Sequence, residues 1–147
     1  MIYIFLADDD EDDKEFFGDA LKDLGIPSEL LTAKDGAELM TTLDAIVIGP
    51  PPPHIIFLDL NMPNKNGFEC LEEIRKTDKL KGIPVAIFST TDSQSAVDTT
   101  YSLGANCYIC KPTSHQLLKK AIETVLALEL WKDNKQLPRE KFVLRIN

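Results

Sequence analysis

Residues 55–63 read Ile-Ile-Phe-Leu-Asp-Leu-Asn-Met-Pro, an apolar run that is interrupted at Asp59 and ends in a proline. Consecutive apolar residues, without alternation, are typical of a strand that is buried on both faces of a sheet. Similar short runs occur at residues 2–7, 30–33, 85–89 and 107–110. We therefore predict five buried strands, the third of them over residues 55–60.

A segment with helical spacing follows each apolar run. The apolar positions of these segments are Phe16, Phe17, Ala20, Leu21 and Leu24; Leu39 and Leu43; Phe68, Leu71 and Ile74; Ala96, Val97 and Tyr101; and Leu117, Leu118, Ala121, Ile122, Val125 and Leu128. A strand followed by a helix, five times over, predicts an α/β fold. The expected architecture is a doubly wound, five-stranded parallel sheet with helices on both faces.

The chain length of 147 residues fits one domain of ordinary size. We expect residues 1–130 to form this domain. Residues 131–147 are expected to be a C-terminal tail that docks on it, with no output domain. Four consecutive prolines at positions 50–53 predict a stiff surface loop before the third strand, because proline disfavours both helices and central strands.

The negative charge of the chain is concentrated in one place. There are 24 acidic and 16 basic side chains, which give a net charge of −8. Six consecutive acids, from Asp8 to Asp13, account for most of this charge. Binding to nucleic acid depends on clustered lysine and arginine, so the acidic balance argues against it.

The sequence also predicts where the protein is located. No apolar run approaches the ~20 residues that a membrane helix needs, and the apolar N-terminus lacks the basic leader of a signal peptide. Cys70, Cys107 and Cys110 are an odd set without a disulfide framework, which favours the reducing cytoplasm. Cys107 and Cys110 lie three residues apart on a predicted strand and point to opposite faces, so we expect no shared metal or disulfide.

Polar side chains stand at the ends of four predicted strands. Asp8 and Asp9 follow the first strand, Asp59 ends the third, Ser89 the fourth and Lys111 the fifth. Ligands of parallel sheets bind outside these carboxyl ends. Converging carboxylates require a cation, and their hard oxygen atoms suit Mg²⁺. A lysine and a hydroxyl group beside the metal would bind phosphoryl oxygens, so the pattern predicts metal-assisted phosphoryl chemistry.

The motifs at these strand ends strongly resemble the receiver domain of two-component response regulators. They are Phe-Leu-Ala-Asp8-Asp9, Ile-Ile-Phe-Leu-Asp59-Leu-Asn61-Met62-Pro63 with Gly67, Phe-Ser89-Thr90, and Tyr108-Ile-Cys-Lys111-Pro112. All occur in order within about residues 2–130. The resemblance implies a flavodoxin-like (βα)5 receiver fold with strand order 2-1-3-4-5. It also implies a phosphoacceptor of two-component phosphorelay signalling rather than an enzyme.

The resemblance implies a role for each polar residue at the strand ends. Asp59 is expected to take a phosphoryl group from a phosphohistidine on a sensor histidine kinase or a histidine phosphotransfer protein. Ser89 is expected to bind one phosphoryl oxygen and Lys111 another.

The same resemblance implies a set of metal ligands. Asp9 is expected to bind Mg²⁺ directly, with Asp8 assisting. Asp59 and the backbone carbonyl of Asn61 complete the expected protein ligands.

The resemblance further implies a conformational switch. Ser89 and Tyr108 are expected to move together on phosphorylation and to alter the face formed by the fourth helix, the fifth strand and the fifth helix. This face is the expected contact surface for a downstream protein target, and for a homodimer where one forms. The peptide bond between Lys111 and Pro112 is expected to be cis.

Asn61 and Thr91 stand two residues beyond Asp59 and Ser89. In a receiver these positions flank the path of water to the phosphoryl group. We expect them to tune a slow autodephosphorylation.

Two other functions stay open at this point. One is a Mg²⁺-dependent phosphohydrolase of the haloacid-dehalogenase type, with Asp8 as nucleophile and Asp10 as acid/base, although Asp12 departs from that motif. The other is an adaptor with a receiver fold that does not switch. Residues 10–13 are expected to begin a helix, where one acid caps it and the others favour its dipole. An EF-hand is excluded because Asp13 occupies the glycine position of that loop.

Overall fold

Strands and helices alternate along the chain in the computed structural model, which describes residues 1–46 and 53–146. The strands and α-helices are β1 (Ile2–Ala7), α1 (Glu11–Leu24), β2 (Ser28–Ala33), α2 (Gly36–Ile46), β3 (Ile55–Leu58), α3 (Gly67–Lys76), β4 (Val85–Ser89), α4 (Gln94–Ser102), β5 (Cys107–Cys110) and α5 (His115–Ala127), and two 3-10 helices follow at Leu130–Lys132 and Arg139–Lys141. The predicted alternation of five strands and five helices is confirmed.

All five strands form one parallel sheet in the order β2-β1-β3-β4-β5. The winding direction reverses after β2, because the chain crosses β1 to form β3 on its other side. Ala7 at the end of β1 pairs with Leu58 at the end of β3. Asp8 and Asp59 therefore leave the sheet side by side, at the switch point where ligands of such sheets bind. The predicted doubly wound sheet and its strand order are confirmed.

The strands β1, β3, β4 and β5 each contribute alternate side chains to two separate cores. Phe5 and Ala7 belong to the core that α2, α3 and α4 cover, whereas Ile4 and Leu6 belong to the core that α1 and α5 cover. Because both faces of these four strands are buried, they are apolar without alternation. The edge strand β2 differs from the predicted buried strand, since of its residues only Ala33 is buried and Leu31 is 44% exposed.

Two strands differ from their predicted bounds. β2 begins at Ser28, two residues before the predicted run, and β3 ends at Leu58 rather than at residue 60. The shorter β3 places Asp59 in the loop that follows it, where its side chain points along the sheet edge instead of into a core.

Two apolar residues of the predicted helical stripes are exposed. Phe16 is 54% exposed, because Phe17, Ala20 and Leu21 already form the buried face of α1 and Phe16 lies about 100° to the side. Leu128 is 39% exposed because α5 ends one residue before it, at Ala127.

The chain after α5 crosses the open edge of β5. We call residues 133–146 the C-terminal strap. Val143 pairs in parallel with Tyr108 of β5, Phe142 is buried in the core under α4, and Leu144 packs against the opposite core. The strap therefore covers an edge strand that would otherwise expose unpaired backbone groups.

Residues 50–52 of the predicted proline loop lie outside the described residues. Within the described ranges, each helix is too short or too polar to cross a bilayer.

Candidate functional site

The carboxyl ends of β1, β3, β4 and β5 bring the predicted site residues to one edge of the sheet. Asp8 is fully buried and Asp59 nearly so, whereas Asp9 is exposed to solvent. Ser89 is the last residue of β4 and is buried, and Lys111 directly follows β5. Because all four strands are parallel, residues far apart in the sequence meet at this edge.

Backbone contacts fix the position of the two buried carboxylates. The Asp8 N–H donates to the carbonyl of Ala33 and the Asp59 N–H to the carbonyl of Ala7, each at 3.0 Å. Gly67 begins α3 directly against this loop, since a Cβ atom there would lie 2.2 Å from the Asp59 carbonyl oxygen. Only glycine permits this close approach of α3 to the loop.

The ammonium group of Lys111 lies among three carboxylates. Its Nζ is 2.7 Å from Oδ2 of Asp8, 2.8 Å from Oδ2 of Asp13 and 3.2 Å from Oδ2 of Asp59. The Lys111 side chain is 9% exposed and that of Asp13 is 34% exposed. Burial opposes the charged form of Lys111, but hydrogen bonds to Asp13 and Asp8 and the charge of Asp59 outweigh it and raise the pKa of Lys111.

Asp8, Asp9 and Asp59 form an oxygen cluster that could hold a divalent cation. One carboxylate oxygen from each lies within 4.8 Å of the others. Oδ1 of Asp8 accepts from the Asp10 N–H at 3.0 Å. Oδ2 of Asp8 pairs with the ammonium group of Lys111 at 2.7 Å. Three carboxylates that converge at one edge of the sheet, two of them buried, fit a hard metal ion.

Burial raises the pKa of Asp8 to about 6, and the nearby Lys111 opposes this shift. A divalent cation would favour the ionised form of Asp8 as an oxygen ligand.

Thr91 links the site to β5. Its N–H donates to Oγ of Ser89 at 3.3 Å, and its Oγ1 accepts from the Asn61 side-chain amide at 2.8 Å. The carbonyl of Thr91 accepts a hydrogen bond from the hydroxyl group of the buried Tyr108. Burial raises the pKa of Tyr108 to about 12, so this hydroxyl stays a donor at neutral pH.

The six consecutive acids from Asp8 to Asp13 divide into two groups. The first two lie in the oxygen cluster, and the other four lie at the start of α1. Asp10 caps α1, because its Oδ1 accepts from the Asp13 N–H at 3.0 Å. Among the described residues, the oxygen cluster does not include residues 10–13. Asp13 was expected only to favour the helix dipole, yet its side chain also binds Lys111. The short β1–α1 connection is the signal for this contact, because it places the first turn of α1 over the sheet edge.

The predicted cis bond between Lys111 and Pro112 is wrong, since the described residues contain no cis peptide bond. The Lys111 N–H donates to the Ser89 carbonyl at 2.9 Å, and its side chain reaches the carboxylates with a trans bond. The trans form is also the intrinsically favoured one for a residue before proline.

Comparison with known proteins identifies the kind of domain that this site resembles. The family model for the response regulator receiver domain matches residues 4–123. Response regulator Rcp1 of Synechocystis sp. is 33% identical over 137 residues, which are 92% of this chain and 92% of that protein.

Two solved structures are similar over nearly their whole length. The crystal structure of the phosphorylated cyanobacterial phytochrome response regulator RcpA has a TM-score of 0.79 and 34% identity, and covers 93% of this chain and 98% of that one. The crystal structure of the Mn²⁺-bound form of Rcp1 matches with a TM-score of 0.77 and 32% identity. The match covers 94% of this chain and 99% of that one.

Proposed function

The chain belongs to the response regulator receiver family, whose members accept phosphoryl groups in two-component signalling and bind a divalent metal, and we propose that Asp59 is its phosphoacceptor. Receivers take the group from a kinase or phosphotransfer protein and act on downstream targets. The observation that supports Asp59 is its place beside Lys111, Asp8 and Asp9, at the end of β3. Ser89, at the end of the adjacent β4, supplies a hydroxyl group to the same edge.

The proposed metal is Mg²⁺, which carboxylate and carbonyl oxygens suit. Asp8, Asp9, Asp59 and the backbone carbonyl of Asn61 would hold it. When bound, it supplies positive charge that offsets the negative charge of the carboxylates and of the transferred group.

The proposed transfer is a nucleophilic displacement at phosphorus. A carboxylate oxygen of Asp59 attacks the phosphorus of the donor phosphohistidine. An O–P bond forms as the N–P bond breaks, and the histidine nitrogen keeps the electron pair. Lys111 turns from Asp13 and Asp8 to a phosphoryl oxygen, and the Ser89 hydroxyl group donates to another. These two groups stabilise the charge of the acyl phosphate.

Phosphorylation of Asp59 is tested by intact-mass measurement after incubation with acetyl phosphate. The wild-type protein should gain the mass of one phosphoryl group in Mg²⁺ and none in EDTA. Asp59→Asn should gain nothing in either condition, because the amide cannot form the acyl phosphate. Asp44→Asn is the matched control. It removes a carboxylate on α2 instead of Asp59 and should label like the wild type.

Equal labelling of Asp59→Asn and the wild type would refute the assignment of the phosphoacceptor. Turnover of phosphate esters that is lost in Asp8→Asn but kept in Asp59→Asn would favour a phosphohydrolase. Partner binding that is indifferent to labelling would favour a non-switching adaptor.

The remaining assignments follow from the same proposal. Residues 1–130 form the receiver unit and residues 131–147 its tail. Ser89 and Tyr108 act as the switch, and the face of α4, β5 and α5 contacts a target or a second copy. A sensor histidine kinase or a histidine phosphotransfer protein is the proposed donor. The free thiols of Cys70, Cys107 and Cys110 support a cytoplasmic location.

The proposed acyl phosphate hydrolyses slowly, and the bond between Asn61 and Thr91 limits this reaction. Thr91→Val keeps the shape of the side chain but removes the acceptor of the Asn61 amide. The freed amide can then orient an attacking water molecule. We expect autodephosphorylation to become about three- to tenfold faster, the equivalent of one neutral hydrogen bond.

Autodephosphorylation of Thr91→Val is measured as loss of labelled protein after removal of acetyl phosphate. Thr99→Val, on the exposed side of α4, is the matched control and should decay at the wild-type rate. An unchanged or slower decay in Thr91→Val would contradict the role of the Asn61–Thr91 bond.

A further inference from the structure

The C-terminal strap pairs with the sheet at a single residue, Tyr108. The Tyr108 N–H donates to the carbonyl of Phe142 and the Tyr108 carbonyl accepts from the N–H of Leu144, both at 2.9 Å. These two bonds form one parallel bridge, between Tyr108 and Val143. A strand that is paired at only one position is held by few bonds and can detach without disturbing the rest of the sheet.

The side chain of Tyr108 is shared between the strap and the functional site. Its ring centroid lies 6.3 Å from that of Phe142, which in turn packs edge-to-face against Tyr101 of α4 at 5.1 Å. The Tyr108 hydroxyl group donates to the Thr91 carbonyl. Tyr108 and Phe142 are both fully buried, so a movement of the hydroxyl end displaces the packing at the other end.

Thr91 is in direct contact with the residue that would bind the phosphoryl group. Its N–H donates to Oγ of Ser89 at 3.3 Å. When the Ser89 hydroxyl group turns to a phosphoryl oxygen, Thr91 loses this partner and its backbone is free to shift. The acceptor of the Tyr108 hydroxyl group shifts with it, because that acceptor is the Thr91 carbonyl.

The first half of the strap has anchors of its own. The side-chain amide of Gln136 donates to the carbonyls of Tyr101 and Ala105, at 2.8 and 2.9 Å. The Leu137 N–H donates to the Asn106 carbonyl at 3.0 Å. None of these bonds involves Tyr108, Thr91 or Ser89. The two halves of the strap are therefore held independently.

We propose that phosphorylation of Asp59 releases residues 142–146 of the strap from β5 through Tyr108, while residues 133–139 stay docked. In the resting protein, the strap is an intramolecular ligand of the edge of β5. Its release exposes the backbone groups of Tyr108 and the cleft that Phe142 fills. This inference rests on the proposed phosphorylation of Asp59.

The release is measured by NMR-detected hydrogen exchange on the full chain, with acetyl phosphate and Mg²⁺ present throughout. The amides of Tyr108 and Leu144 should exchange about tenfold faster than in the resting protein, as expected from the loss of one neutral hydrogen bond. The amide of Leu137 should keep its resting rate and serves as the internal control. Asp59→Asn under the same conditions should show no change at any of the three amides.

Intact mass, recorded on the same samples, separates the two proposals. Full labelling with an unchanged Leu144 amide would overturn the release and leave the phosphoacceptor assignment intact. Acceleration at Leu137 equal to that at Leu144 would also overturn it, because the whole strap would then have loosened. Absence of labelling would overturn both proposals.

Tyr108→Phe tests whether the hydroxyl group carries the coupling. This variant keeps the ring against Phe142 and removes only the bond to Thr91. At equal labelling of Asp59, its Leu144 amide should exchange at nearly the same rate with and without phosphorylation. A full tenfold acceleration in Tyr108→Phe would refute the route through Tyr108.

Discussion

Replacement of Lys111 by methionine is expected to lower the free energy of unfolding of the metal-free protein by about 3–5 kcal/mol at neutral pH. Methionine has nearly the length of lysine and keeps the packing of the stem. It removes the ammonium group that, among the described residues, lies within 3.2 Å of Asp8, Asp13 and Asp59. Because Asp8 and Asp59 are buried, water cannot replace the lost charge, and this effect far exceeds that of an exposed ion pair.

The loss of stability in Lys111→Met should shrink as the pH falls. The pKa of Asp8 is already raised from 3.8 to about 6 in the folded protein, and loss of the ammonium group raises it further. The folded state then binds a proton that the unfolded state, with an ordinary pKa, does not. An acid with a raised folded pKa gains stability as the pH falls through that pKa, so the destabilisation is smaller at about pH 5.5 than at about pH 7.5.

Chemical denaturation at both pH values, with and without Mg²⁺, checks this expectation. Mg²⁺ should raise the free energy of unfolding of Lys111→Met more than that of the wild type. In the variant, the cation offsets the negative charge of the carboxylates without help from the ammonium group of Lys111. Lys76→Met breaks an exposed pair with Glu72 and should leave the free energy of unfolding nearly unchanged at either pH. An equally small loss in Lys111→Met would contradict the electrostatic role of Lys111.

We also expect phosphorylation of Lys111→Met by acetyl phosphate to be about a hundredfold slower.

The fold could be predicted from the sequence because its signals are local and repeated. Four of the five strands are apolar runs that are almost uninterrupted, β2 being the exception, and each helix shows its own spacing. The carboxyl ends of parallel strands meet, so the positions of Asp8, Asp59, Ser89 and Lys111 also predicted a shared edge. The order of the strands came from the motifs at that edge and not from periodicity, which carries no information about neighbours in a sheet.

The contacts that could not be predicted join residues without a pattern between them. Asp13 and Lys111 are 98 positions apart, and an acid in the first turn of a helix is explained by the dipole alone. The single bridge between Tyr108 and Val143 lacks the length that would mark residues 142–144 as a strand. In the sequence, Asn106 before β5 has the character of an ordinary turn residue. In the structure it is buried, and both polar atoms of its side chain form hydrogen bonds.

Asn106→Ala is the second substitution for which we expect a large effect, about 3–5 kcal/mol of destabilisation. Oδ1 of Asn106 accepts from the Val85 N–H at 2.8 Å and from Nη2 of Arg75 at 2.9 Å. Its Nδ2 donates to Oδ1 of Asn134 and to the Lys135 carbonyl, each at 3.0 Å. Alanine leaves the buried Val85 N–H without a partner and frees the start of the strap. For comparison, Asn66→Ala removes the cap of α3 and should cost only about 1 kcal/mol.

Asn106→Asp separates the contribution of the Oδ1 contacts of Asn106 from that of its Nδ2 contacts. The carboxylate keeps the acceptor for Val85 and gains a charge-assisted bond to Arg75, but it replaces the donor to Asn134 and Lys135 by a repelling oxygen. We therefore expect most of the wild-type stability in chemical denaturation, together with faster hydrogen exchange at the Leu137 amide, which binds the Asn106 carbonyl in the wild type. A loss of stability equal to that of alanine would mean that the strap contacts, and not the contacts to β4 and α3, make Asn106 important. An unchanged Leu137 amide would instead mean that the strap is held without Asn106, by Gln136 and by the ion pair between Arg139 and Asp98.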